Sequence, residues 1–71
     1  FKECVLGYDY AQNIIVVRTM PGLASAAASA IDALNWSSVV GTLAGDDTLF
    51  IVMRENNAAA ALCGEIKNLL V

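Results

Sequence analysis

The chain has 71 residues, enough for one domain, and 58% of them are hydrophobic, above the roughly 45–50% of ordinary globular proteins. Lys and Arg number 4 against 7 Asp and Glu, a net charge of −3, which excludes this segment as a surface that grips nucleic acid, since phosphate needs clustered Lys and Arg. With no histidine, the chain also lacks the commonest general base, the Ser-His-Asp triad and most zinc sites.

In chain order, Val5, Tyr8 and Tyr10 predict a strand over residues 3–10, and residues 11–13 a short turn. The β-branched run Ile14-Ile15-Val16-Val17 predicts a second strand, so the first two strands form a hairpin. Met20-Pro21-Gly22 breaks the strand, with Pro21 placed to open a helix. Residues 23–34 carry Leu23, Ala27, Ala30, Ile31 and Leu34 on one helical stripe, with Ser25, Ala28, Ser29 and Asp32 on another face. Val39–Ala44 and Thr48–Met53 read as strands joined by the tight turn Gly45-Asp46-Asp47. Asn57 is suited to cap a last helix reaching Leu70, with Ala59, Leu62, Cys63, Ile66 and Leu69 or Leu70 as its apolar stripe. Gly64 inside that helix costs about 1 kcal/mol relative to alanine, which suggests a close contact there. The order β-β-α-β-β-α implies an α+β two-layer sandwich, a four-stranded antiparallel sheet with two helices on one face, as a single domain over residues 1–71.

Cys4 and Cys63 fit no paired-ligand metal site or Cys-x-x-Cys motif, so no metal or cofactor is expected. Two reduced thiols acting as small hydrophobes are favoured over one disulfide between the chain ends, which points to a cytoplasmic protein. Apolar runs of a few residues fall far short of the ~20 needed to span a bilayer, and the amino end shows no signal-peptide pattern. A start at Phe1 suggests a fragment of something longer.

Two features bear on partners. Ile14–Val17 and Leu49–Met53 are apolar at both parities, yet two helices cover only one face of a sheet. Another copy or another domain is therefore expected on the second face. The adjacent carboxylates Asp46 and Asp47 sit at a hairpin tip with no Lys or Arg within six residues. Aspartate is common at turns because its side chain bonds nearby amides. Uncompensated neighbouring carboxylates also make a cation receptor, and a guanidinium fits best because its planar fork bonds two oxygens in parallel. A calcium ion would need more oxygen ligands than the turn offers. Asp32 either supplies a ligand contact from its polar helix face or belongs to a solvated one.

Thr19-Met20-Pro21-Gly22, an Ala-rich helix with Ile31-Asp32-Ala33-Leu34, and Val40-Gly41-Thr42-Leu43-Ala44-Gly45-Asp46-Asp47-Thr48 together resemble the C-terminal domain of bacterial arginine repressors over nearly the whole chain. The resemblance implies the same element order, trimers that stack in pairs as hexamers, and L-arginine as co-repressor where the trimers meet. It implies Asp46 and Asp47 as the acidic pair receiving the guanidinium across the interface, Asp32 at the amino-acid end of the ligand, and Thr42 and Ala44 lining the site. Ser25 matches a position where well-known members carry glutamine or histidine, so that contact is lost or bridged by water. The family's winged-helix DNA-binding domain is absent from this chain, and operator DNA is expected to be bound through that domain alone.

Three functions follow: an arginine-sensing oligomerisation domain of a regulator repressing arginine biosynthesis genes, a structural oligomerisation domain that binds no ligand, and a small enzyme. The lack of a histidine or a nucleophile–base pair disfavours the enzyme, and the acidic pair in its context favours the first.

Overall fold

The computed structural model describes residues 4–69; Glu3 and Leu70, at the ends of the expected first strand and last helix, and the side chain of Leu69 lie outside the described residues. Its elements are β1 (Val5–Ala11), β2 (Ile14–Thr19), α1 (Ala24–Leu34), β3 (Val39–Ala44), β4 (Thr48–Met53) and α2 (Asn56–Leu69). The four strands form one antiparallel sheet in the order β1-β2-β4-β3, the expected α+β arrangement. β2 and β4 are its centre.

Strand register sorts the side chains. Tyr8, Val17, Leu49 and Ala44 form one cross-strand row, and Tyr10, Ile15, Ile51 and Thr42 the next on the same face. This face meets both helices: Ile15, Val17, Leu49, Ile51 and Met53 pack in one cluster with Ala27, Ala28 and Ile31 of α1 and Ala59, Leu62 and Ile66 of α2. Each large aliphatic buried there contributes roughly 1.5–3 kcal/mol. α1 lies over β3 and β4, and α2 over β1, β2 and β4. The opposite face carries the row Asp9, Val16, Phe50 and Leu43 beside Ala11, Ile14, Val52 and Gly41, and no helix packs on it. Phe50 is 44% and Leu43 71% exposed there.

Several local expectations are corrected. The first strand begins at Val5 with Cys4 just before it, and the hairpin turn narrows to Gln12-Asn13 because Ala11 pairs with Ile14. Gln12 takes a left-handed φ of 54°, and Asn13 ties the turn to β4 by donating Nδ2–H to the Met53 carbonyl at 3.2 Å. α1 begins at Ala24, so Pro21 lies in the preceding turn and Leu23 is the N-cap residue. The buried stripe of α1 is Ala24, Ala27, Ala28 and Ile31, with Leu23 and Leu34 exposed. Three alanines on the sheet side let the helix axis come close, and turning the leucines inward would push it away. Ala28 therefore belongs to the core and leaves Ser25, Ser29 and Asp32 as the polar face. α2 starts at Asn56, one residue before the expected cap, with the Glu55 carbonyl accepting the Ala59 N–H at 3.3 Å. Its stripe Ala59, Leu62, Cys63 and Ile66 is buried as expected. Gly64 is exposed, and a Cβ there would meet nothing within 4 Å, so no close contact requires it.

Both edge strands carry an irregularity of register, between Val5 and Gly7 in β1 and between Val39 and Gly41 in β3. The extra residues, Leu6 and Val40, are exposed. Such bulges twist an edge away from further pairing.

Candidate functional site

The β3–β4 connection is closed by the Gly45 N–H donating to the Thr48 carbonyl at 2.8 Å, which leaves Asp46 and Asp47 at its tip. Their backbone carbonyls turn inward. Asp47 O accepts the Thr19 N–H at 2.7 Å, and Asp46 O accepts the N–H groups of Gly22 at 3.0 Å and Ala24 at 3.3 Å. Leu23 has no side-chain oxygen to cap α1, so the Asp46 carbonyl satisfies amides that the helix start would otherwise leave without partners. Gly22 reaches that position with φ 81°, a conformation other residues adopt only at a cost. The turn is thus fixed by its backbone while both aspartates are exposed. Thr48, not anticipated from the sequence, donates its hydroxyl to Asp47 Oδ1 at 3.0 Å and holds that carboxylate; its position directly after the acid pair was the available signal.

Asp32 occupies the other end of α1, eight residues from Ala24, or about 12 Å along the axis at 1.5 Å per residue. Thr42 of β3 donates its hydroxyl to Asp32 Oδ1 at 3.1 Å and lies 3.4 Å from Oδ2. The helix has no basic residue in its last turn, so this carboxylate stands near the negative end of the macrodipole without relief. Among the described residues, no lysine or arginine is ion-paired to Asp32, Asp46 or Asp47.

The expected site residues therefore fall into two groups within one protomer. Asp46 and Asp47 adjoin the start of α1, where Ser25 is exposed on the first turn; Asp32 and Thr42 meet near its end. Ala44, two residues after Thr42, is half-buried against the core and also borders a shallow cavity of about 320 Å³ with Leu43, Gly45, Thr48 and Phe50. A smaller cavity of about 120 Å³ lies at Asp32, Asn35, Trp36 and Gly41. No group of three or more Cys, Asp or Glu side chains suited to a metal ion occurs among the described residues. Nor is any helix among them long and apolar enough to cross a membrane. The buried Cys63 is a free thiol; burial pushes its pKa upward, and the charge of Asp9 adds to the effect.

Fold and site define a two-layer α+β domain with exposed carboxylates near both ends of one helix and an apolar sheet face left open. Residues 1–68 match the family described as the arginine repressor C-terminal domain, and the chain belongs to that family. It is 47% identical over 70 residues to an arginine repressor of Caldicellulosiruptor saccharolyticus, covering 99% of this chain and 46% of that protein. It is 50% identical over 69 residues to one of a Thermoanaerobacter species, covering 97% and 46%, and 53% identical over 57 residues to one of Alkaliphilus metalliredigens, covering 80% and 38%. These relatives are named as repressors, hence regulators rather than enzymes, and the chain spans less than half of their length.

Proposed function

We propose that this domain is the L-arginine-sensing assembly module of a transcriptional regulator that represses arginine biosynthesis genes in the cytoplasm. The observation that carries the proposal is the acidic turn: its backbone is fixed by the Thr19, Gly22 and Ala24 amides, while its two exposed carboxylates pair with no lysine or arginine among the described residues. A guanidinium supplies what is missing there, through parallel charge-assisted hydrogen bonds. The α-ammonium of the same ligand suits Asp32, while Ser25, Thr42 and Ala44 line the space between.

In this reading the site takes its parts from two protomers, the acidic turn adjoining the start of α1 and Asp32 lying near its end. In this reading the open sheet face packs copies into trimers, and pairs of trimers stack as hexamers with arginine at their junction. Operator DNA is bound by another part of the full-length protein, since this domain carries a net charge of −3. No catalytic step and no resident cofactor enter this reading.

Calorimetric titration tests it. L-arginine should bind saturably and L-citrulline, which has no guanidinium charge, much more weakly. No heat from L-arginine would leave the domain as a structural oligomerisation unit that binds no ligand.

A further inference from the structure

We infer that Arg18 and Asp9 form an ion pair between copies: where the open sheet face packs one protomer on the next, the Arg18 guanidinium of one bonds the Asp9 carboxylate of the other. The inference rests on the reading that this face joins copies, and it names the residues that fix how they meet.

Strand register puts both residues on the face that no helix covers. Gly7, Arg18 and Thr48 form one row there, beside the row that runs from Asp9 through Val16, so Arg18 and Asp9 are diagonal neighbours on β2 and β1. They are the only charged residues that register places on this face. Among the described residues they do not pair with each other. Asp9 Oδ1 accepts the N–H of Tyr10 in its own strand at 2.8 Å, and the other carboxylate oxygen stays open. Arg18 has no hydrogen bond or ion pair to any described residue. Its guanidinium lies over Gly7, where a Cβ would stand 2.9 Å from Nη2 and 3.7 Å from Cζ. The glycine therefore lets the cation rest against β1 with its fork of donors unused.

In a lone protomer both groups are exposed and water satisfies them. Once a copy covers the face, an unpaired guanidinium or carboxylate there becomes costly. A contact that brings Asp9 of one copy to Arg18 of the next removes both costs together, through charge-assisted hydrogen bonds. Each copy offers one cation and one anion at different positions, so the contact passes from copy to copy in one direction, as a closed ring requires. Apolar neighbours such as Val16 and Phe50 tolerate sliding. The ion pair does not, because any other register buries two charges without partners.

The test is sedimentation velocity over a concentration series on wild type, Arg18→Asp, Asp9→Arg and an equimolar mixture of the two variants, with circular dichroism confirming that each variant keeps the fold. Either substitution alone sets like charges against each other at every junction and should raise the concentration needed for assembly by at least about tenfold. The neutral variants Arg18→Gln and Asp9→Asn should show a smaller loss in the same direction. In the mixture, the carboxylate placed at position 18 meets the guanidinium placed at position 9, and native Arg18 meets native Asp9, so most junctions of a mixed ring are complementary. The mixture should therefore assemble at concentrations where neither variant does alone. A mixture that assembles no better than its components would overturn the inference, because the two charges would then act within one protomer. Single variants that sediment like wild type would overturn it too. A wild-type protein that stays monomeric throughout would instead refute the reading that the open face joins copies, and the pair with it.

Discussion

The Gly22 N–H donates to the Asp46 carbonyl at 3.0 Å, joining two segments 24 positions apart in the chain. The bond makes the Pro21-Gly22 turn and the acidic turn one structural unit, and Asp46 completes the start of α1 from outside the helix. Sequence motifs that look independent are thus halves of one joint.

That joint depends on glycine. With φ at 81° and open space around the Cα, Gly22→Ala introduces backbone strain and no clash. It should cost about 1–2 kcal/mol, seen as a lower urea midpoint at unchanged slope. A midpoint equal to wild type would show that the loop accepts another conformation without loss.

Gly64 should behave in the opposite way. It is exposed in α2, and a Cβ would meet nothing within 4 Å, so Gly64→Ala gains helix propensity of about 1 kcal/mol at no steric cost. The urea midpoint should rise. A fall would mean that this helix surface is in tight contact within the assembly.

The difference between these glycines marks what the sequence could reveal. Ile14–Val17 and Gly45-Asp46-Asp47 are legible because β-branched runs and turn residues act locally. The rotation of α1 is not, because its alanines form more than one plausible stripe and only contact with the sheet selects Ala24, Ala27, Ala28 and Ile31. The bulges at Leu6 and Val40 likewise depend on the twist of sheet edges. Asp46, Asp47 and Asp32 stood out by residue type and context, whereas their position near opposite ends of α1 and the Thr42–Asp32 hydrogen bond required long-range placement; the Thr48–Asp47 bond is local.

Cys63 supplies a prediction about pH. Its thiol is neutral and buried, and both burial and the charge of Asp9 raise its folded pKa. The neutral form is favoured by the fold, so its contribution to stability is complete below the unfolded thiol pKa of about 8.5 and declines as pH rises through the folded value. Alkylation of Cys63 in the native protein should be slow at pH 8 and rapid in denaturant. Asp9→Asn should move the native reaction profile to lower pH; an unmoved profile would remove Asp9 as a cause.

The two sides of β2 should respond differently to charge. Val17 is 0% exposed beneath the helices, so Val17→Lys should unfold the domain. Val16 lies on the open face in the row with Phe50 and Leu43, so Val16→Lys should dissociate the assembly while leaving the circular-dichroism spectrum intact. A Val16→Lys protein that sediments like wild type would show that this face does not hold the copies together.

The central claim, that arginine binds at the acidic turn and links trimers, is tested most directly by sedimentation velocity across a protein concentration series, with and without saturating L-arginine. Binding to the assembled form alone adds ~2.7 kcal/mol per site at ligand about 100 times its dissociation constant, so arginine should shift trimers to hexamers at concentrations where they otherwise coexist. Asp46→Asn and Asp47→Asn, each removing a hydrogen bond to a charged group, should weaken the response about ten- to a hundredfold in arginine concentration. A wild-type distribution that arginine does not change would contradict the linkage, and an undiminished response in both variants would contradict the placement of the ligand at Asp46 and Asp47.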